Sequence, residues 1–217
     1  MTRKLPPTAS VAEPQAGGKL YAPAAARNAE ALCAVLTQHG PASGTALEIA
    51  SGTGQHIVTF GSALPGLNWQ PSEIDPARRI SIDAHVAESG LTNVAPAMPL
   101  DACAPGWAAT PAPFDLIVLV NLLHLISDPE AKVLISEASR ALAPGGTFVF
   151  YGPFKRAGAL TSEGDARFDA ELRSADPLIG YKDDLDIADW MGKAGLDLND
   201  PLELPANNLA FVARKPV

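Results

Sequence analysis

The sequence predicts an α/β fold, a mostly parallel sheet with helices packed on both faces. Helix-period and strand-like stretches alternate along the 217 residues, the trace that βαβ units leave. Phe114 to Asn121 (F-D-L-I-V-L-V-N) is the most apolar run, as a central strand buried on both faces requires. The last two strand-like runs are separated only by Pro205-Ala206-Asn207-Asn208. That spacing is a hairpin, so the final strand is expected to run antiparallel to the others.

Residues 1–20 are rich in Pro, Ala and Gly and read as a flexible N-terminal arm, with the domain itself at 21–217. Two early cations have no apolar block behind them, so no secretory leader is expected. Pro23 to His39 predicts the first helix, with Pro23 near its start, Leu32, Val35 and Leu36 inward, and Gly40 as its stop. Thr45 to Ala50 predicts the first strand. Gly54 to Leu64 predicts a helix with Ile57, Phe60, Gly61 and Leu64 on one face. Asn68–Ser72 and Asn93–Met98 read as the second and third strands. Asp75-Pro76 and Asp128-Pro129 each read as a cap followed by proline in the first turn.

Thr147 to Tyr151 follows the turn Pro144-Gly145-Gly146 as the fifth strand. Gly152 to Lys182 is too long for an ordinary connection and is expected to be an insert over the site. Asp184 to Ala194 turns Ile187, Trp190 and Met191 inward and stops at Gly195. Leu198–Leu204 and Leu209–Arg214 close the chain.

Charge and composition exclude several classes. Acidic residues outnumber basic ones by 24 to 16, a formal net charge of −8. No Lys/Arg stripe is present, which argues against nucleic acid as a partner. No apolar run reaches the ~18 residues of a membrane helix. Cys33 and Cys103 stand alone and fit a reducing, cytoplasmic setting. His39, His56 and His85 share no ligand spacing, so no metal is expected. No feature sets an oligomeric state.

Residues 47–56, L-E-I-A-S-G-T-G-Q-H, carry the chemistry. A strand, a tight glycine turn and a helix N-terminus form a nucleotide-type pocket at the carboxyl end of a sheet. Dinucleotide sites use G-x-G-x-x-G, but here Ile57 stands at the third glycine. A ligand without a pyrophosphate needs only the close backbone approach at Gly52 and Gly54, and S-adenosylmethionine is such a ligand. Glu73, 21 residues after Gly52, is placed to accept both ribose hydroxyls. Asp101 is placed to accept from an adenine amino group, and Glu48 to attract the methionine ammonium.

L-E-I-A-S-G-T-G-Q-H, W-Q-P-S-E-I-D-P, F-D-L-I-V-L-V-N-L-L-H and L-A-P-G-G-T-F-V-F-Y-G-P-F together resemble the successive motifs of class I S-adenosylmethionine-dependent methyltransferases. A-P-A-A-A-R-N, Y-G-P-F and P-A-N-N resemble, more narrowly, the methyltransferase-like protein 26 family. The resemblance runs from about Tyr21 to Arg214. It implies a Rossmann-like, seven-stranded sheet with its last strand reversed, and cofactor use by Glu48, Gly52, Gly54, Glu73 and Asp101. Ala50 stands where many members have the first glycine, which limits how tightly the turn closes. Glu73 is often Asp in that class.

Methyl transfer needs alignment more than acid–base chemistry, since orientation alone supplies ~7–11 kcal/mol. Asn121 closes the fourth strand, where its carbonyls can contact the cofactor. His124 is a candidate base, because imidazole titrates near neutrality. Tyr151 is placed to orient an acceptor by its hydroxyl. Arg27 and Asn28 on the first helix, with Asn207 and Asn208 in the hairpin, are substrate-binding candidates. Lys155 and Arg156 would invite an anionic acceptor. The leading expectation is a methyltransferase acting on a small molecule. The alternatives are a non-catalytic module that binds the cofactor as sensor or partner and, disfavoured by Ile57, an NAD-linked oxidoreductase. Methylation of nucleic-acid bases is disfavoured because N-L-L-H replaces the N-P-P-aromatic type.

Overall fold

The computed structural model describes residues 5–109 and 113–217; residues 1–4 of the expected arm lie outside them. A small antiparallel ladder opens the described chain, β1 (Glu13–Pro14) against β2 (Leu20–Tyr21). α1 follows at Pro23–His39 with the bounds its proline and glycine punctuation predicts, burying Leu32, Val35 and Leu36. Next come β3 (Gly44–Ile49), α2 (Gln55–Ala63), β4 (Leu67–Pro71) and α3 (Pro76–Ser89). Asp75 caps α3 by accepting from the Ala77 N–H at 2.8 Å. β5 (Phe114–Val120) leads to α4 (Asp128–Ala141). The α4 cap is Ser127, not Asp128: Ser127 and Glu130 form a reciprocal capping box, which satisfies two orphan amides where a cap at Asp128 would satisfy one.

The rest of the chain holds β6 (Leu142–Lys155), α5 (Glu163–Ala175), β7 (Lys182–Asp183), α6 (Asp184–Lys193), β8 (Asp197–Leu198), β9 (Leu202–Leu204) and β10 (Asn208–Arg214). The main sheet runs β4-β3-β5-β6-β10-β8, with β7 paired to β6 and β9 to β10. β4, β3, β5 and β6 are parallel, and β10 is antiparallel to β6. The α/β architecture and the reversed last strand are as expected, but the sheet has eight strands instead of seven. Three changes make up the count: β7 is an added short strand on β6, one expected strand is split in two, and another is lost. Pro201 has no N–H and splits the expected Leu198–Leu204 strand into β8 and β9. Pro71 and Pro96 likewise reduce the expected third strand to two bridges, Trp69 to Val94 and Ser72 to Met98.

Pro144-Gly145-Gly146 interrupts the β5–β6 ladder instead of preceding the strand. The register jumps from Phe114–Leu142 to Leu116–Thr147, so the intervening residues loop out. β5 shows how one strand serves two cores. Ile117 and Leu119 join Phe148, Phe150 and Phe211 under α4 and α6, while Leu116 and Val118 join Leu32, Phe60 and Trp69 under α1 to α3. Successive side chains point to opposite faces, and both faces are covered, as a parallel sheet requires. Phe150 and Phe211 stack across β6 and β10 with centroids 4.8 Å apart. Among the described residues no helix is long and apolar enough to cross a membrane.

Candidate functional site

The four parallel strands end on one side of the sheet, and there the turn from β3 to α2 reverses the chain. Ala50, Gly52 and Gly54 all have positive φ, at 54°, 61° and 93°. Ala50 therefore closes the turn in a left-handed conformation despite its Cβ, at a cost of ~1–2 kcal/mol. Hydrogen bonds hold it there: Ser51 N–H donates to Ser72 O at 2.8 Å and Gly54 N–H to Ser51 O at 3.1 Å. The Gly52 N–H donates to Glu73 Oε2 at 3.1 Å, while Asp75 N–H donates to Glu73 Oε1 at 3.1 Å. The Glu73 carboxylate is thus aimed by two backbone amides from either side.

A cavity of about 1400 Å³ opens over this turn. Its wall includes Ala50, Gly52, Glu73, Asp101, Asn121, His124 and Tyr151, together with Arg27, Asn28 and Asn208. Five sequence candidates are not on that wall, Lys155 and Arg156 among them. Gly54 faces α3, where a Cβ would lie 2.7 Å from the Ile82 Cα, so packing explains this glycine. Glu48 is buried beneath the turn, and among the described residues its Oε2 has no partner. Burial, reinforced by the Glu73 charge and opposed by a hydrogen bond from Ser51, pushes its pKa up to about 8. Asn207 turns away and donates to Asp165 Oδ2 at 3.3 Å, which ties the hairpin to α5.

Asn121 also takes a positive φ, 56°, with its N–H on Tyr151 O at 2.8 Å. Asp101 caps its own turn by accepting from the Cys103 N–H at 3.0 Å. His124 contradicts its near-neutral expectation. Burial, with the Lys182 charge beside it, lowers its pKa to about 3, and its ring meets Phe168 and Tyr181 edge to face. Arg156 pairs with Glu203 at 3.5 Å and, like Lys155, is off the cavity wall.

Sequence reasoning missed several wall residues. His56 lies in the first turn of α2 with its Nε2 2.6 Å from Asn28 Oδ1. Its position just after the glycine turn was the available signal. Phe168 and Tyr181 enter from the long segment after β6, and Leu5, Thr8 and Ser10 from the N-terminal stretch. Thr8 donates to Glu171 at 2.7 Å and Ser10 receives Arg78 at 2.7 Å. No local pattern predicts those contacts.

The family described as "Protein of unknown function (DUF938)" matches residues 19–215. The chain belongs to the DUF938 family. The DUF938 fold is similar to that of several solved methyltransferases. An O-methyltransferase family protein from Burkholderia thailandensis superposes with a TM-score of 0.76 at 18% identity, over 89% of this chain and 57% of that one. An O-methyltransferase described as putative in its own name, from Nostoc punctiforme, gives 0.76 at 16% identity, over 88% and 56%. Human N-acetylserotonin methyltransferase in complex with SAM gives 0.70 at 16% identity, over 89% and 53%. The DUF938 chain spans little more than half the length of these proteins, and at such identities the likeness is one of fold.

Proposed function

We propose that this DUF938 chain is an S-adenosylmethionine-dependent methyltransferase acting on a small-molecule acceptor. The observation that carries the reading is the Glu73 carboxylate, anchored by the Gly52 amide on the wall of a cavity at the carboxyl ends of the strands. The residues present fit the cofactor. A Cβ at Gly52 would have only the tip of Arg78 within 3.5 Å on the protein side, so its absence clears space for a ligand. Among the described residues the buried Glu48 Oε2 lacks a partner, and a cation near it would draw out its proton. Ile57, fully buried in the core, fills the space where dinucleotide folds bring helix and strand together, which argues against a pyrophosphate.

On this reading Glu73 receives the ribose hydroxyls, Asp101 the adenine amino group, and Asn121 with Ala50 borders the reactive end. When bound, the cofactor supplies a methyl group already activated by its sulfonium. The cavity exceeds the ~300–1,000 Å³ typical of one ligand, which supports a cofactor and a small acceptor held together. Proton transfer is a minor part of the chemistry. His124 is neutral and weakly basic, and Tyr151, its acidity further suppressed by burial, keeps its proton. What these residues do is orient, the larger share of catalysis for a displacement at carbon.

The narrower kinship with the methyltransferase-like protein 26 family is part of the proposal. Its three motifs meet on one wall: Arg27 and Asn28 from A-P-A-A-A-R-N, Tyr151 from Y-G-P-F, and Asn208 from P-A-N-N. These residues form the acceptor end. We assign the enzyme to a reducing, cytoplasmic setting because Cys33 and Cys103 stand alone, with no multi-cysteine framework in the sequence. Calorimetric titration tests the core of the reading. S-adenosylmethionine should bind and NAD should not, and the reverse result would sink it. Release of S-adenosylhomocysteine across an acceptor panel then distinguishes an enzyme from a sensor.

A further inference from the structure

His56 has no place in cofactor binding, yet it is a polar side chain buried to 8% exposure on the cavity wall. Its ring stacks on Phe60 with centroids 5.5 Å apart and planes 12° from parallel, which fixes the plane of the ring. Burial lowers its pKa to about 4, so the imidazole is neutral and carries a single N–H. Asn28 Oδ1, 2.6 Å from Nε2, can only accept, so that N–H sits on Nε2. With its oxygen committed to His56, Asn28 presents its NH2 in the other direction. There it lies beside the Tyr151 hydroxyl on the same cavity wall, and the Asn28 and Asn208 side chains both pull the acidity of that hydroxyl back toward its ordinary range. A phenol oxygen that is accepting from amides retains its own O–H for another partner. Among the described residues no acceptor takes it.

We propose that His56 is a positioning residue: by donating to Asn28 it fixes the amide so that Tyr151 offers its O–H to the acceptor molecule. Arg27 and Tyr151 offer donors at this corner, while the Asn28 oxygen is taken by His56 and the Asn208 NH2 donates to Pro205 O and Ala206 O. The acceptor class is therefore one with a carbonyl, ether or anionic oxygen close to the atom that is methylated. What Tyr151 faces rests on the methyl-transfer reading; the His56–Asn28–Tyr151 relay does not.

Nuclear magnetic resonance tests the relay in the intact chain without any ligand. Four histidines and three tyrosines make 15N-imidazole and 13Cζ-tyrosine spectra assignable with His56→Gln and Tyr151→Phe. His56 should remain the neutral Nε2–H tautomer from pH 8 down to about pH 5, where a free imidazole is already protonated. The Tyr151 Cζ resonance should move in His56→Ala and in Asn28→Asp. It should return in His56→Gln, whose amide donates from nearly the same point. An Nδ1–H tautomer, a titration near the ordinary histidine value, or a Tyr151 signal unmoved in His56→Ala overturns the proposal. If His56→Ala fails to fold, the wild-type tautomer alone decides.

Once an acceptor is in hand from the S-adenosylhomocysteine assay, His56→Ala should lower its kcat/KM by about tenfold, the worth of one hydrogen bond. The KM for S-adenosylmethionine should hold and His56→Gln should recover the loss; equal losses in both variants count against the relay. Failure of S-adenosylmethionine to bind, with the tautomer and the tyrosine shifts as stated, removes the proposed function and leaves the relay standing.

Discussion

Substituting alanine at each glycine of the turn separates two jobs that the motif runs together. At Gly54, φ is 93°, and a Cβ would sit 2.7 Å from the Ile82 Cα and 3.3 Å from its N. Neither atom can swing aside, so α2 and α3 must part. Holding a non-glycine residue there costs ~1–3 kcal/mol of backbone strain, and overpacking adds ~1–3 kcal/mol. Gly54→Ala should therefore lose roughly 2–6 kcal/mol. At ~2–4 °C per kcal/mol for a chain of this size, Tm should fall on the order of 10 °C. At Gly52, φ is 61° and the nearest atom is Arg78 Nη1 at 3.5 Å. Its strain is ~1–2 kcal/mol, but the new methyl would project into the cavity. Gly52→Ala should melt closer to wild type and bind S-adenosylhomocysteine much more weakly. Thermal melts with and without that ligand, and calorimetry, read both effects. A Gly54→Ala protein melting within about 2 °C of wild type, or a less stable Gly52→Ala, refutes the division.

Glu73→Ala should weaken S-adenosylmethionine binding by roughly 1.5–3 kcal/mol, the range for hydrogen bonds to a charged group. Unchanged affinity in calorimetry removes Glu73 from the ribose role. Glu48 should govern a pH dependence of stability. Its folded value of about 8 stands above the ordinary 4.5, so across that interval the folded chain keeps a proton the unfolded chain has released. Stability from this group is complete below the unfolded value and is lost as pH rises through the folded one. Glu48→Gln should flatten that decline, bringing the melts at pH 5 and pH 8 together. An unaltered slope assigns the effect to another group.

Legibility of the fold followed the range of the interactions that decide it. α1 was readable to the residue because Pro23 and Gly40 punctuate it locally. β5 was readable because burial on both faces leaves a nearly unbroken apolar run. The division of β8 from β9 was not, because Leu198–Leu204 looks continuous until Pro201 is asked to donate to a ladder. The Ser127 cap was missed for a similar reason. Asp128-Pro129 and Ser127 with Glu130 are both valid local signatures, and only the reciprocal hydrogen bonds choose between them.

The site divides along the same line. The turn and Glu73 are linked through one βα unit, so spacing of 21 residues brought them together on paper as the Gly52–Glu73 hydrogen bond does in space. The proposed acceptor end is assembled from α1, α2, β6 and the β9–β10 hairpin, up to 180 residues apart between Asn28 and Asn208, and nothing in local spacing encodes which side chains meet. His124 shows the consequence. Free imidazole titrates near neutrality, and the sequence around N-L-L-H contains nothing to change that. Phe168, Tyr181 and Lys182 do change it, and all three arrive from beyond β6 to bury the ring and place a cation beside it. The histidine that sequence favours as a base is thereby turned into a neutral wall. The one it passed over, His56, holds its Nε2 2.6 Å from the Asn28 Oδ1, an oxygen that can only accept.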